Sequence, residues 1–184
     1  MLPPYTLVVV LQLPGPSTNY SIVFYFVPKL EFIKLFEPNL NPLESKKLIN
    51  EMRLPPKYDD MIQEFFFGSS DKARNERLKM IPRITDGPWV IRNSVPSKPV
   101  LMGKRLPVRY FIGDQHLELD LDIGGGTKTA RNLTSLGVGY ASSIGLEVCF
   151  VLEGHECEEL PEEVLAIASL VKPDLNAGAV SLVS

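Results

Sequence analysis

Apolar and polar residues alternate without a break from His116 to Ile123. Leu117, Leu119, Leu121 and Ile123 share one face of an extended chain, and His116, Glu118, Asp120 and Asp122 share the other. Leu106–Ile112 reads as the preceding strand, and Gly113-Asp114-Gln115 between them predicts a hairpin. Tyr5–Leu13 and Tyr20–Val27 predict a second hairpin across the turn cluster Pro14-Gly15-Pro16-Ser17. Its first strand is apolar at nearly every position, which predicts that both faces are covered. After the turn at Asp86-Gly87-Pro88, Trp89–Val95 and Lys98–Met102 read as short strands split by Pro96-Ser97. Leu146–Leu152 and Val164–Val171 read as two more, on either side of an acidic turn, Glu158–Glu163.

Between the first hairpin and Gly68 the period changes to that of helices. Asn41-Pro42-Leu43-Glu44 supplies an N-cap, a Pro at the first position and a Glu at the third, ahead of an apolar face of Leu48, Ile49 and Met52. Pro55-Pro56 stops that helix. Asp59–Phe66 places Met61, Ile62, Phe65 and Phe66 on one face. A third helix starts at Ser70-Asp71 and carries Lys72, Arg74, Arg77 and Lys79. Thr127–Ser143 is a fourth, with Gly137, Ala141 and Gly145 at four-residue spacing that suits close approach to a sheet. The expected fold is α+β: a curved antiparallel sheet of about seven or eight strands with helices packed on one side. One domain spans 1–172, and 173–184 reads as a tail.

A chain of 184 residues fits one domain, and 45% hydrophobic residues supply a core. The net charge of −3 argues against a general nucleic-acid binder, which needs basic excess against phosphates. Cys149 reads as a small core hydrophobe and Cys157 lies in a charged turn; two such cysteines predict a reducing, intracellular setting. The apolar start of the chain lacks a basic leader region and reads as a strand.

The residues spell out no reaction. Gly124, Gly125 and Gly126 end a strand and open a helix, where free backbone N–H groups attract anions. Lys128 and Arg131 in its first turns oppose the helix dipole, a conflict that an anionic headgroup would relieve. The competing reading is a tight turn already neutralised by Asp122 or Asp120. No P-loop is present, because Thr127 separates Gly126 from Lys128. Phe66 and Phe67, followed by Lys72 and Arg74, form a candidate membrane contact; against it stands the usual fate of phenylalanines, the core. Glu118, Asp120 and Asp122 suit a solvated face paired with Arg109 or Lys104 better than a metal or acid–base cluster. His155 and Cys157 are too few for zinc. No cofactor is implied.

Several runs then carry a resemblance: LQLPGPSTNYSIVFYFVP, KMIPRITDGPWVIRNSVPSKPVLMGKRLPVRYFIGDQHLELDLDIGG, LGVGY, and LEVCFVLEG with ELPEEVL. In this combination and order they resemble the Enhanced Disease Resistance 2 C-terminal domain. Relative to that family the chain looks short at its N-terminus, and residues 30–63 look like an insertion before Arg74-Asn75-Glu76-Arg77-Leu78-Lys79-Met80-Ile81-Pro82-Arg83. In plants the domain often follows a phosphoinositide-binding pleckstrin-homology domain and a lipid-binding START domain, so the resemblance implies a role at membranes or in lipid handling. It supplies no catalytic residue; Trp89, Gly103, Lys104, Arg109, Tyr110, Asp120, Asp122 and Gly124 match motif positions without a role. The expected function is a non-catalytic lipid- or membrane-associated binding module, peripheral on a membrane. The headgroup would lie near Gly124–Gly126, Lys128 and Arg131, with the aliphatic part under the 127–143 helix. The alternative is an interaction subunit docking on a larger protein complex.

Overall fold

The computed structural model describes residues 5–15, 18–37, 40–95, 97–175 and 177. In chain order the elements are β1 (Thr6–Leu13), β2 (Tyr20–Phe26), α1 (Leu30–Ile33), α2 (Pro42–Met52), α3 (Tyr58–Phe67), α4 (Asp71–Arg77), β3 (Leu78–Asp86), α5 (Trp89–Ser94), β4 (Val100–Leu101), β5 (Val108–Ile112), β6 (His116–Asp122), α6 (Lys128–Gly139), β7 (Gly145–Leu152) and β8 (Val164–Val171). The α+β class stands. The strands, however, divide into two four-stranded sheets, ordered β2-β1-β6-β5 and β4-β3-β7-β8.

The alternation of β6 explains why one sheet does not suffice. Leu117, Leu119 and Leu121 are wholly buried, and they share a core with Val148, Phe150 and Leu152 of β7. Two apolar sheet faces therefore cover each other, as in a sandwich. The strand pairing differs from the all-antiparallel expectation in one place. β1 runs parallel to β6, with Leu7 opposite Leu117 and Leu11 opposite Leu121. As an inner strand β1 is buried on both sides, Val9 toward the core and Val8 on the outer face.

The helices close two ends of the sandwich instead of one side. At the start of β1, Tyr5 stacks on Phe36 and meets Phe67 edge-on. There α2 and α3 add Ile49, Met61, Ile62, Phe65 and Phe66 to the same core. The α2 start forms as its sequence dictates, with the Asn41 side chain accepting from the Leu43 N–H and Pro42 in the first turn. At the far end of β1, α5 and α6 pack together and α6 packs on β1.

Three local expectations are corrected. Trp89–Ser94 is a short helix, not a strand. Pro88 begins it, and the Asn93 and Ser94 side chains donate back to the Trp89 and Val90 carbonyls one turn earlier. Lys79 lies in β3 rather than on the third helix. Cys149 is half-buried on the outer face of its sheet, between Ile81 and Ile167 in register, and is not in the core.

Candidate functional site

Between the two sheets lies a cavity of about 270 Å³, partly open to solvent. Its size approaches the lower end of small-molecule pockets, about 300 Å³. One sheet contributes Leu11, Leu13 and Ile22, and the other Met80, Pro82, Ile84, Leu146, Val148 and Leu170. Ile91 and Val95 close one side. The roof is α6, through Thr134, Gly137, Val138 and, just beyond it, Ala141. That spacing is one helical stripe. Among the described residues that line it, Arg105 and Thr134 alone have polar side chains. A Cβ added at Gly137 would meet nothing within 4 Å, so the small residue leaves space here instead of admitting a close neighbour. Beyond β8, Pro173 and Leu175 line the cavity too; residues 176 and 178–184 of the expected tail lie outside the described residues. A polar recess with Tyr20, Ser142 and Asp174 adjoins this end of α6.

The glycine turn stands at the other end of α6, where Ile123, Leu106 and Arg105 meet the cavity. Here the glycines do make a tight turn, although no ion pair joins Asp122 or Asp120 to Lys128 or Arg131 among the described residues. The Gly125 N–H donates to Asp122 Oδ1 at 2.8 Å and the Gly126 N–H to the Ile123 carbonyl at 3.2 Å. A side chain at Gly125 would clash with the Asp122 carboxylate, 2.6 Å away. Arg131 folds back and donates to the Gly126 carbonyl at 3.0 Å, with a longer contact of 3.4 Å to Gly124. Two of the three glycine N–H groups are thus already engaged. The charge remains available: Lys128, Arg131 and Arg105 are exposed and form no ion pair among the described residues. Arg105 escapes a search for glycine-rich anion loops, because it belongs to a different segment; the run Gly103-Lys104-Arg105 is its one sequence signal.

The candidate membrane contact at the aromatic–basic junction is corrected. Phe66 is buried in the core, and Phe67 packs against Tyr5 and Phe66. Arg74 is the largest fully buried side chain. Its Nε donates to the Phe65 carbonyl at 2.7 Å, its guanidinium also reaches the Gly68 carbonyl and, at 3.0 Å, Asp71, and it lies 5.5 Å over the Tyr110 ring. The carbonyls left over at the end of α3 need such a donor. Lys72 alone of this group is solvent-facing, beside Glu76.

Asn75, Arg77 and Lys79 of the Arg74–Arg83 motif are likewise committed to the fold. Asn75 accepts from the Tyr110 hydroxyl at 3.0 Å, and burial pushes that phenol up. Gly103 lies so close to Asn75 that a Cβ would come within 2.3 Å of it. Arg77 grips both oxygens of Glu159, at 3.0 and 3.1 Å, and donates to the Glu153 carbonyl. Lys79 meets Glu162 at 2.6 Å and Glu153 at 3.5 Å. Glu159 carries opposing influences. Burial raises its carboxyl, but the Arg77 hydrogen bonds, the His155 and Glu156 N–H groups and the Arg77 charge outweigh that and hold it at about 2. These cations therefore lock α4 and β3 to the 153–162 loop.

The acidic stripe of β6 does not take the expected partners. Arg109 stands opposite Asp120 in register, yet no ion pair joins them among the described residues. Asp120 Oδ2 accepts instead from Gln12 at 3.2 Å, and Oδ1 is buried without a partner among the described residues. Among the described residues no group of three His, Cys, Asp or Glu side chains gathers at a metal-sized site. No helix among them is long and apolar enough to cross a membrane.

Comparison with known proteins gives a consistent result. The family model described as Protein ENHANCED DISEASE RESISTANCE 2, C-terminal, matches residues 2–174. An Arabidopsis thaliana protein, Protein ENHANCED DISEASE RESISTANCE 2-like, is 34% identical over 176 residues. The match takes in 96% of this chain but 21% of the Arabidopsis protein, so the chain spans about a fifth of that relative's length. No solved structure matches the chain.

Proposed function

The chain belongs to the Enhanced Disease Resistance 2 C-terminal family, and on that footing we propose that it is a non-catalytic lipid-binding module. An amphiphile lies with its aliphatic part in the cavity between the sheets and its anionic head beside Arg105, Lys128 and Arg131. The observation that carries this reading is the cavity itself. A lining with two polar side chains offers nothing to a polar metabolite, while burying alkyl surface there is worth about 25 cal/mol per Å². The Gly124–Gly126 turn supports it differently from the expectation, as the place where cations converge rather than as a cradle of free N–H groups.

Native mass spectrometry of the purified chain, with organic extraction, tests this first. A co-purifying amphiphile of defined mass is the expected result. A bare chain that also takes up no fatty acid when offered one would refute it. Gly137→Leu should separate binding from folding. A side chain at 137 points along the stripe that faces the cavity, so the variant should lose the bound amphiphile. Its stability should hold or rise by roughly 0.5–1 kcal/mol, since Gly is a poor helix residue and nothing crowds the site. Arg105→Ala/Lys128→Ala should weaken retention of an anionic amphiphile about tenfold while leaving a neutral one unaffected, as two exposed charges near a headgroup allow.

A further inference from the structure

The protein has nineteen basic residues. Nine of them, from Lys34 to Lys172, form ion pairs. Ten others, all exposed, form none among the described residues: Lys29, Lys46 and Arg53 lie apart in the N-terminal part of the chain, and the remaining seven are Arg92, Lys98, Lys104, Arg105, Arg109, Lys128 and Arg131. These seven come from two stretches, 87–113 and 123–146, that contain no Asp or Glu at all. In a chain of net charge −3 this is a pronounced segregation. In space the stretches are neighbours, because α5 packs on α6 and both wall the same cavity. Within the first of these stretches, α5 projects two adjacent apolar side chains into solvent, Trp89 at 72% and Val90 at 55% exposure. The next residue, Ile91, is buried and lines the cavity. Burial of Ile91 leaves Trp89 and Val90 no choice but the outside of this one-and-a-half-turn helix.

We propose that this wall docks on an anionic lipid bilayer, with Trp89 and Val90 entering the interfacial region and Arg92 and Lys98 on the headgroups beside them. Charge complementarity selects an anionic surface, and the apolar tip selects a bilayer among anionic surfaces. An indole with its ring among acyl chains and its N–H at the headgroups is at home there. Val90 gains free energy by entering hydrocarbon and none against a sugar–phosphate backbone. Each unpaired cation within a Debye length of an anionic leaflet raises partitioning about fivefold. Docking brings the α5 side of the cavity to the membrane. The inference rests on the lipid-module reading only for passage between bilayer and cavity; the docking itself does not need the cavity filled.

Trp89 is the chain's single Trp, so its fluorescence reports the event directly. With phosphatidylcholine vesicles containing phosphatidylserine, the emission should shift to the blue and become shielded from a water-soluble quencher. Pure phosphatidylcholine should give neither, and added salt should weaken both. Arg92→Glu/Lys98→Glu should reduce partitioning at least about tenfold. Trp89→Ser/Val90→Ser, both at exposed positions, should reduce co-sedimentation about tenfold with an unchanged Tm. Vesicle binding with no change at Trp89 would overturn the proposal, and so would a shift produced by an acidic protein or nucleic acid but not by anionic vesicles. The two readings fail separately. Gly137→Leu that still docks but carries no lipid leaves this inference standing, whereas lipid retained without docking removes it and leaves the module.

Discussion

Arg74→Leu should destabilise the chain by about 3–5 kcal/mol in urea unfolding, with the slope unchanged and the midpoint lowered. The substitution removes the donors that the Phe65 and Gly68 carbonyls meet at the end of α3. Each buried carbonyl left without a partner costs about 1–3 kcal/mol, and the contact over Tyr110 goes as well. Asp71, largely exposed, regains water and adds little. Arg74→Lys should recover only part of the loss, because one ammonium cannot reproduce a planar fork serving three acceptors. If the Leu variant fails to fold, the Lys variant still measures the effect. A loss below about 0.5 kcal/mol for either would show that water replaces the guanidinium without penalty.

The second large effect is a dependence on acid. Glu159 falls from an ordinary value of 4.5 to about 2 in the folded protein. A carboxyl depressed by folding gives its full stabilisation above the unfolded value and loses it as the pH falls through the folded one. Stability should therefore decline by about 3 kcal/mol between pH 5 and pH 2 from this residue alone. Glu159→Gln should flatten that part of the profile. At neutral pH, Glu159→Ala should cost about 3 kcal/mol, the low end for a broken buried pair, since Arg77 keeps the Glu153 carbonyl and a weaker contact with Glu64. Arg77→Met/Glu159→Leu together should cost less than the sum of the single losses. An unaltered acid profile in Glu159→Gln would assign the dependence to other carboxyls.

What the sequence disclosed follows the range of the interactions involved. Asn41-Pro42 begins α2 and Ser70 caps α4 because capping is settled within three residues. The β6 alternation is legible because one face of that strand is completely enclosed. Trp89-Val90-Ile91 reads as a strand from composition, but only Ile91 is buried, and the Pro88 start and the returning Asn93 and Ser94 hydrogen bonds make a helix. Phe66 could be read as core or as membrane contact, and Arg74 as solvated, because charge next to aromatics is ambiguous until the acceptors are known. Those acceptors are backbone carbonyls, which leave no mark in a sequence. The small residues of 127–143 suggested close approach to a sheet, whereas Gly137 leaves space, because what faces a glycine is set by the opposite wall. The position of Arg105 beside that space was not legible either, since that depends on how β4, β5 and α6 come together.

The parallel alignment of β1 with β6 has a consequence for how the chain comes to be folded. In synthesis the β1–β2 hairpin emerges early, yet Leu7 must wait for Leu117 before its strand acquires its second neighbour. Such distant pairing raises contact order and slows folding. Until β6 has left the ribosome, the apolar segment Leu7–Leu11 presents an open edge to other nascent chains. Holding chaperones should therefore raise the yield of folded protein chiefly during that interval.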